Sequence, residues 1–180
     1  MSAYFLQSSR LGFRPWKEED IPLALELWGN PEVTKHIDGR VSLSDEDVLE
    51  KLIEAVATQE KHGVQYWPIF LLENDEHVGC GGLRPYKDSA EVLEIGIHIC
   101  VNHWRRGYAT EAAQCVIKHA FETLQIKAIF AGHNPKNLAS RNLLKKLGFR
   151  YTHDEYFAPT GLHHPSYLMT KEEYEARVSE

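Results

Sequence analysis

His103-Trp104-Arg105-Arg106-Gly107-Tyr108-Ala109-Thr110-Glu111-Ala112 is the stretch on which the reading of this chain turns. It joins an apolar run, Val92 to Ile99, that reads as a buried strand, to a strongly amphipathic helix. Ala109, Ala112, Ala113, Val116, Ile117, Ala120, Phe121 and Leu124 fall on one helical face. The turn between them carries two arginines, a glycine and a small residue. The first N–H groups of a helix have no intrahelical partner and sit at its positive end, so such a turn suits phosphate. Gly107 allows close approach of a ligand to the backbone and Ala109 leaves room for it. No Gly-Lys-Ser/Thr follows, and Gly-x-Gly-x-x-Gly is absent, which excludes a Walker A loop and a dinucleotide fingerprint.

A second segment, Asn134-Pro135-Lys136-Asn137-Leu138-Ala139-Ser140 through Lys146-Leu147-Gly148-Phe149, follows a short strand, Ala128 to His133. Asn137 is a good N-cap, Leu143, Leu144 and Leu147 form a stripe, and Gly148 is placed to end the helix in a left-handed conformation. Taken together, the two segments resemble the GNAT superfamily of acyl-CoA-dependent N-acyltransferases. More narrowly they resemble its Rim-type ribosomal-protein N-terminal and polyamine acetyltransferases. That branch typically reads Trp-Gly-Lys-Gly-Tyr-Ala-Thr-Glu-Ala, against Trp104 to Ala112 here. Its Asn-x-Ala-Ser and Lys-Leu-Gly-Phe motifs are matched by Asn137 to Ser140 and Lys146 to Phe149. The opening, Arg10 to Pro15, Glu18-Glu19-Asp20 and Asn30-Pro31-Glu32-Val33, is similar as well, so the resemblance runs over roughly residues 8 to 170. Three departures stand out. Trp104 replaces the superfamily's Gln or Arg, Arg105 replaces the branch's first glycine, and Leu144 stands where many members carry an acidic tyrosine.

The resemblance implies acetyl-CoA as cosubstrate, with no metal. It implies a primary amine as acceptor: a peptide N-terminus, a polyamine or another small amine. Ile97, Ile99, Trp104, Arg105, Arg106, Gly107, Tyr108, Ala109, Thr110, Asn137 and Ser140 are the residues it sets against the cofactor. Transfer from a thioester to an amine of pKa about 10 requires loss of the amine proton. On the strand, Glu94, Gly96 and His98 alternate to one face, and Ile95, Ile97 and Ile99 to the other. Glu94 matches the branch's Glu-Ile-Gly and is carried over as base or amine anchor. Asp154 and Glu155 are alternatives, and His98 is a reserve base. Ser140 is carried over as a proton donor to the departing thiolate. The rival function is a catalytically silent acyl-CoA-binding module.

A chain of 180 residues with 43% hydrophobic content reads as one globular domain, 1–180, with its core at about 8–170. No apolar run approaches ~20 residues and no secretory leader is visible, so neither a membrane span nor export is expected. Cys80, Cys100 and Cys115 form no Cys-x-x-Cys pair and read as free thiols of a cytoplasmic protein. The net charge of −6 speaks against broad nucleic-acid or anionic-membrane binding. Ten histidines include no His-Glu-x-x-His, and His163-His164 lacks partner ligands, so no metal site is expected. A monomer and a homodimer are equally compatible with this composition.

The layout predicts strands at Gln7–Arg14, Tyr66–Leu72, His77–Leu83, Val92–Ile99, Ala128–His133, Arg150–Tyr156 and Ser166–Thr170. It predicts helices at Ile21–Trp28, Asp45–His62, after Gly107, after Asn137 and at Lys171–Val178. Loops are expected at Ile37–Ser44 and Pro159–Pro165. The expected fold class is α/β: a GNAT-like mixed, mostly antiparallel central sheet flanked by helices.

Overall fold

A computed structural model describes residues 3–37 and 42–180. Eight strands form one sheet in the order β1-β2-β3-β4-β5-β6-β8-β7. They are β1 (Leu6–Gln7), β2 (Leu11–Phe13), β3 (Tyr66–Leu71), β4 (His77–Tyr86), β5 (Ser89–Ile99), β6 (Ala128–Gly132), β7 (Arg150–Phe157) and β8 (Leu162–Thr170). Every neighbouring pair is antiparallel except β5 with β6. That parallel pair is short: Val92, Leu93 and Glu94 face Ala128, Ile129 and Phe130, and the ladder stops there. β5 runs on to Ile99 paired with β4 alone, so the sheet opens between β5 and β6.

Helices cover both faces. α1 (Ile21–Trp28), α2 (Pro31–Thr34) and α3 (Asp45–His62) pack on one face, where Trp16, Leu27, Trp28, Val48, Leu52 and Cys80 form a cluster. The other face holds α4 (Tyr108–Lys118), α5 (Leu138–Leu147) and α6 (Lys171–Val178). There Val116, Ile117 and Phe121 meet Ile95, Ile99 and Ile129 in the larger cluster. The alanines of α4 are what let it lie close to the strands: Ala112 and Ala113 are buried and Ala109 sits at the cluster's margin, while just past the helix Ala120 is buried and Leu124 is partly so. α3 begins at the reciprocal Ser44–Asp47 capping box and ends at a left-handed Gly63.

Several boundaries differ from the sequence reading. Gln7–Arg14 is not one strand but a hairpin, β1 and β2, closed by Ser8 N–H on Leu11 O and by Leu11 N–H on Ser8 Oγ. β4 and β5 are longer than expected because Lys87 and Asp88, with φ of 47° and 56°, make a tight hairpin turn of the kind that keeps two strands in register. β8 begins at Leu162, so Pro159–Pro165 is mostly strand: Asp154, Glu155, Tyr156 and Phe157 pair with Pro165, His164, His163 and Leu162. α4 continues into a π-helical turn, His119–Thr123, closed by Leu124 N–H on His119 O. The expected loop Ile37–Ser44 lies partly outside the described residues. The three cysteines are free, Cys80 and Cys100 being buried.

Candidate active site

The opening of the sheet continues into a cleft of about 1230 Å³. Its upper wall is the turn that begins α4. Trp104 closes the end of β5, its indole N–H donating to Ile99 O at 2.8 Å. Arg105 has φ of 61° and Gly107 has φ of 81°. Gly107 suits that conformation, whereas Arg105 holds it at the cost of local strain. The first helical bond runs from Glu111 N–H to Gly107 O at 3.1 Å, which leaves the N–H groups ahead of it without helical partners. Gly107, Tyr108, Ala109 and Thr110 line the cleft here, as do Trp104 and Arg105. Arg106 does not: its carbonyl accepts from Arg10, and its side chain lies outside the cleft.

Glu111 fixes this turn to the rest of the molecule. Its carboxylate accepts from Ser8 Oγ at 2.7 Å, Ser9 Oγ at 3.0 Å, the Arg10 backbone at 2.9 Å and Arg10 Nε at 2.6 Å. Burial opposes ionisation, but the bonds from Ser8, Arg10 and Ser9 outweigh it and hold the carboxyl below its ordinary range. Arg10 also covers the Tyr108 ring, 4.6 Å from its centroid. Glu111 lies within the motif at Trp104 to Ala112, but its clamping role is not readable there, because its partners lie about a hundred residues away.

Across the gap, Asn137 caps α5 by accepting from Ser140 N–H at 3.1 Å. That bond leaves the Ser140 hydroxyl free to face the cleft, which both residues line. Leu144, where a tyrosine acid stands in many relatives, is a buried apolar side chain on the same wall. Ile97 and Ile99 line the gap from β5.

The far end of the cleft is built on the opposite side of β5. Glu94 is held by both nitrogens of an Arg84 fork at 3.0 Å each. Tyr66 lies over Gly96 so closely that a Cβ there would meet the ring at 2.5 Å, which explains the glycine of Glu94-Ile95-Gly96. Tyr86 stacks on Phe130 with ring centroids 3.9 Å apart. Glu155 bridges from β7 to Lys87 at 2.7 Å and to the Tyr86 hydroxyl at 3.2 Å. The Lys87 ammonium is the main reason its carboxyl stays below the usual carboxylate range. Asp154, the sequence alternative beside it, faces away, pairs with Tyr151 on the exposed edge strand and does not line the cleft.

His98 Nδ1 accepts from the Trp28 indole at 3.1 Å. Burial, with Lys51 and Arg84 nearby, pushes the imidazole down to about 3. With Nδ1 taken up by Trp28 and its basicity lowered by burial, His98 borders the cleft as a weak proton acceptor. Among the described residues no group of three His, Cys, Asp or Glu side chains could hold a metal ion.

Residues 10–150 match the model of the acetyltransferase (GNAT) domain. The chain belongs to the GNAT acetyltransferase family. This GNAT chain is 30% identical over 146 residues to p20 of Bacillus licheniformis, an uncharacterised N-acetyltransferase. The alignment spans 81% of this chain and 82% of that relative. Its fold is similar to a crystal structure of a GNAT-family acetyltransferase from Bacillus anthracis, with a TM-score of 0.80 at 23% identity over 93% of this chain and 99% of that one. It is also similar in fold to RimL, a ribosomal L7/L12 alpha-N-protein acetyltransferase solved with coenzyme A. There the TM-score is 0.77 at 16% identity, over 92% and 97% of the two chains. By family, the protein is an acetyltransferase.

Proposed function

We propose that this GNAT protein moves an acetyl group from acetyl-CoA to a primary amine by direct transfer within a ternary complex. The observation that carries the reading is the parting of β5 from β6 just after Glu94, with a helix N-terminus at one end of the gap and a carboxylate at the other. The Gly107 turn and its unpaired N–H groups would hold the pyrophosphate, with Arg105 adding charge at the rim. Beyond Glu94, the β5 backbone groups facing β6 have no ladder partner and are available to the amide groups of the pantetheine arm and to the thioester oxygen. Asn137 and Ser140 border the same gap from α5.

Glu94 is the group assigned to the amine. The Arg84 fork fixes its carboxylate in one orientation, and each oxygen keeps a lone pair for an N–H of the acceptor. The amine nitrogen adds to the thioester carbonyl while its proton passes to Glu94, directly or through one water. Collapse of the tetrahedral adduct breaks the C–S bond, and the thiolate leaves towards the Ser140 hydroxyl. Glu155, another carboxylate of the cleft, is already occupied by Lys87 and Tyr86. RimL's acceptor is a protein α-amine, which supports including peptide N-termini among the candidates, beside polyamines and other small amines.

The test is release of free thiol from acetyl-CoA in the presence of N-terminal peptide amides, polyamines, aminoglycosides and amino acids. Amine-dependent release with acetylated product is the expected result. Tight acetyl-CoA binding without release for any amine would favour a silent binding module instead.

A further inference from the structure

Among the described residues, the buried polar atoms on the cleft wall without a hydrogen-bond partner are both His103 ring nitrogens, by the α4 turn, and Ser166 Oγ and His133 Nε2, on the β6–β8 side. Ser166 is 1% exposed and His133 is 6% exposed, and both residues line the cleft. They sit on neighbouring rungs of the β6–β8 ladder and point to opposite faces: Gly132 faces Ser166, whereas His133, whose N–H donates to Pro165 O at 3.4 Å, stacks on Tyr167 on the α4 face. The His133 ring donates from Nδ1 to Asn134 O at 2.8 Å. Buried polar groups are nearly always paired, and an unpaired one costs stability that a bound ligand can return.

The register puts Ser166 on the face that carries Glu94. Glu94 faces Phe130, Phe130 faces Leu168, and Ser166 is two residues along the same strand from Leu168. Gly132, across the rung from Ser166, leaves open space over its own Cα. A Cβ there would approach nothing closer than the Phe130 ring at 3.6 Å, so a side chain would fit and none is present. The Tyr86–Phe130 stack walls the space on the Glu94 side.

Resting on the acyltransfer reading above, we propose that Ser166, on the Glu94 face across from the Gly132 gap, is an acceptor-binding subsite. It takes an N–H or O–H group of the amine substrate and so holds the reacting nitrogen in line with Glu94. Ser166 is a positioning and specificity residue, distinct from the phosphate turn.

Two measurements test it on the full chain. In thermal unfolding of the free protein, Ser166→Ala should keep its Tm within about 2 °C of wild type or raise it, because the hydroxyl it removes has no partner. In thiol release with acetyl-CoA and the same amines, Ser166→Ala should raise the acceptor KM about 3- to 10-fold, the worth of one neutral hydrogen bond. Calorimetry should show unchanged acetyl-CoA affinity. Gly132→Ala, which fills the gap, should raise the acceptor KM as well. A Tm several degrees lower for Ser166→Ala would make the hydroxyl structural and overturn the proposal. So would an unchanged acceptor KM, or an acetyl-CoA affinity weakened by the same factor. A wild type that releases no thiol with any amine overturns the acyltransfer reading and this subsite with it. An active wild type matched by Ser166→Ala overturns the subsite alone.

Discussion

Arg105 holds a left-handed backbone where the resembling branch carries glycine, and that exchange can be weighed. A side chain in this region costs roughly 1–2 kcal/mol, while glycine costs about 0.4–1 kcal/mol more to order from the unfolded chain. Arg105→Gly should therefore leave stability within about 1 kcal/mol of wild type. Because it removes a cation at the cleft rim, it should also weaken acetyl-CoA binding, more so at low salt. Calorimetry at two ionic strengths checks both the sign and the salt dependence. Gly107→Val should behave differently, because a β-branched residue at φ of 81° is strained and its side chain intrudes where a phosphate would approach. It should retain the circular dichroism of a folded α/β protein while acetyl-CoA binding is lost. Glu94→Gln keeps the shape of the side chain and removes its charge. Turnover at saturating acceptor should fall about 10²–10⁴-fold, the usual worth of a positioned general base, with acetyl-CoA affinity unchanged. A near-normal rate across the pH range would return Glu94 to a purely structural pairing with Arg84.

At the scale of elements, the helices were legible because their signals are local. The Ser44 capping box, the Asn137 cap and the alanine-rich face of α4 are all visible within a dozen residues. What the sequence hid was set by distant partners. The split of the first strand into β1 and β2 depends on Ser8, Ser9 and Arg10 turning towards Glu111 on α4. The early start of β8 depends on pairing with β7, and its histidines and prolines read locally as loop. The site divides the same way. The Arg105-to-Thr110 turn and Asn137 announce themselves by motif, whereas Arg84's hold on Glu94 follows from β4–β5 register, and Ser166 carries no pattern at all. Glu111 offers a test of the clamp between elements. Its folded pKa lies below its ordinary 4.5, so the stabilisation it gives is complete above that pH and is lost as the pH falls through the folded value. Glu111→Gln should cost about 1–3 kcal/mol near neutral pH, from weakened bonds to a charged group. Its stability should also fall less steeply than wild type below about pH 4.5, which denaturant titrations at several pH values would show.

For the whole molecule, the decisive feature is a sheet that is continuous by backbone pairing at Glu94 and open beyond it. The parting strands supply backbone groups without ladder partners, the α4 turn supplies N–H groups without helical partners at one end, and Glu94 supplies a carboxylate at the other. The histidines and tyrosines fall into place around this frame. His98 is tied to Trp28 in the packed layer under α1, while Tyr66 and Tyr86 wall the Glu94 end of the cleft. The measurement that tests the account most directly is a thiol-release assay on wild-type protein with acetyl-CoA and each class of amine, with mass spectrometry of the products. Direct transfer predicts release that depends on the amine, saturates in both substrates, and yields amine carrying one acetyl group. Release that is independent of every amine, or an acetyl group left on the protein itself, would contradict direct transfer through the cleft.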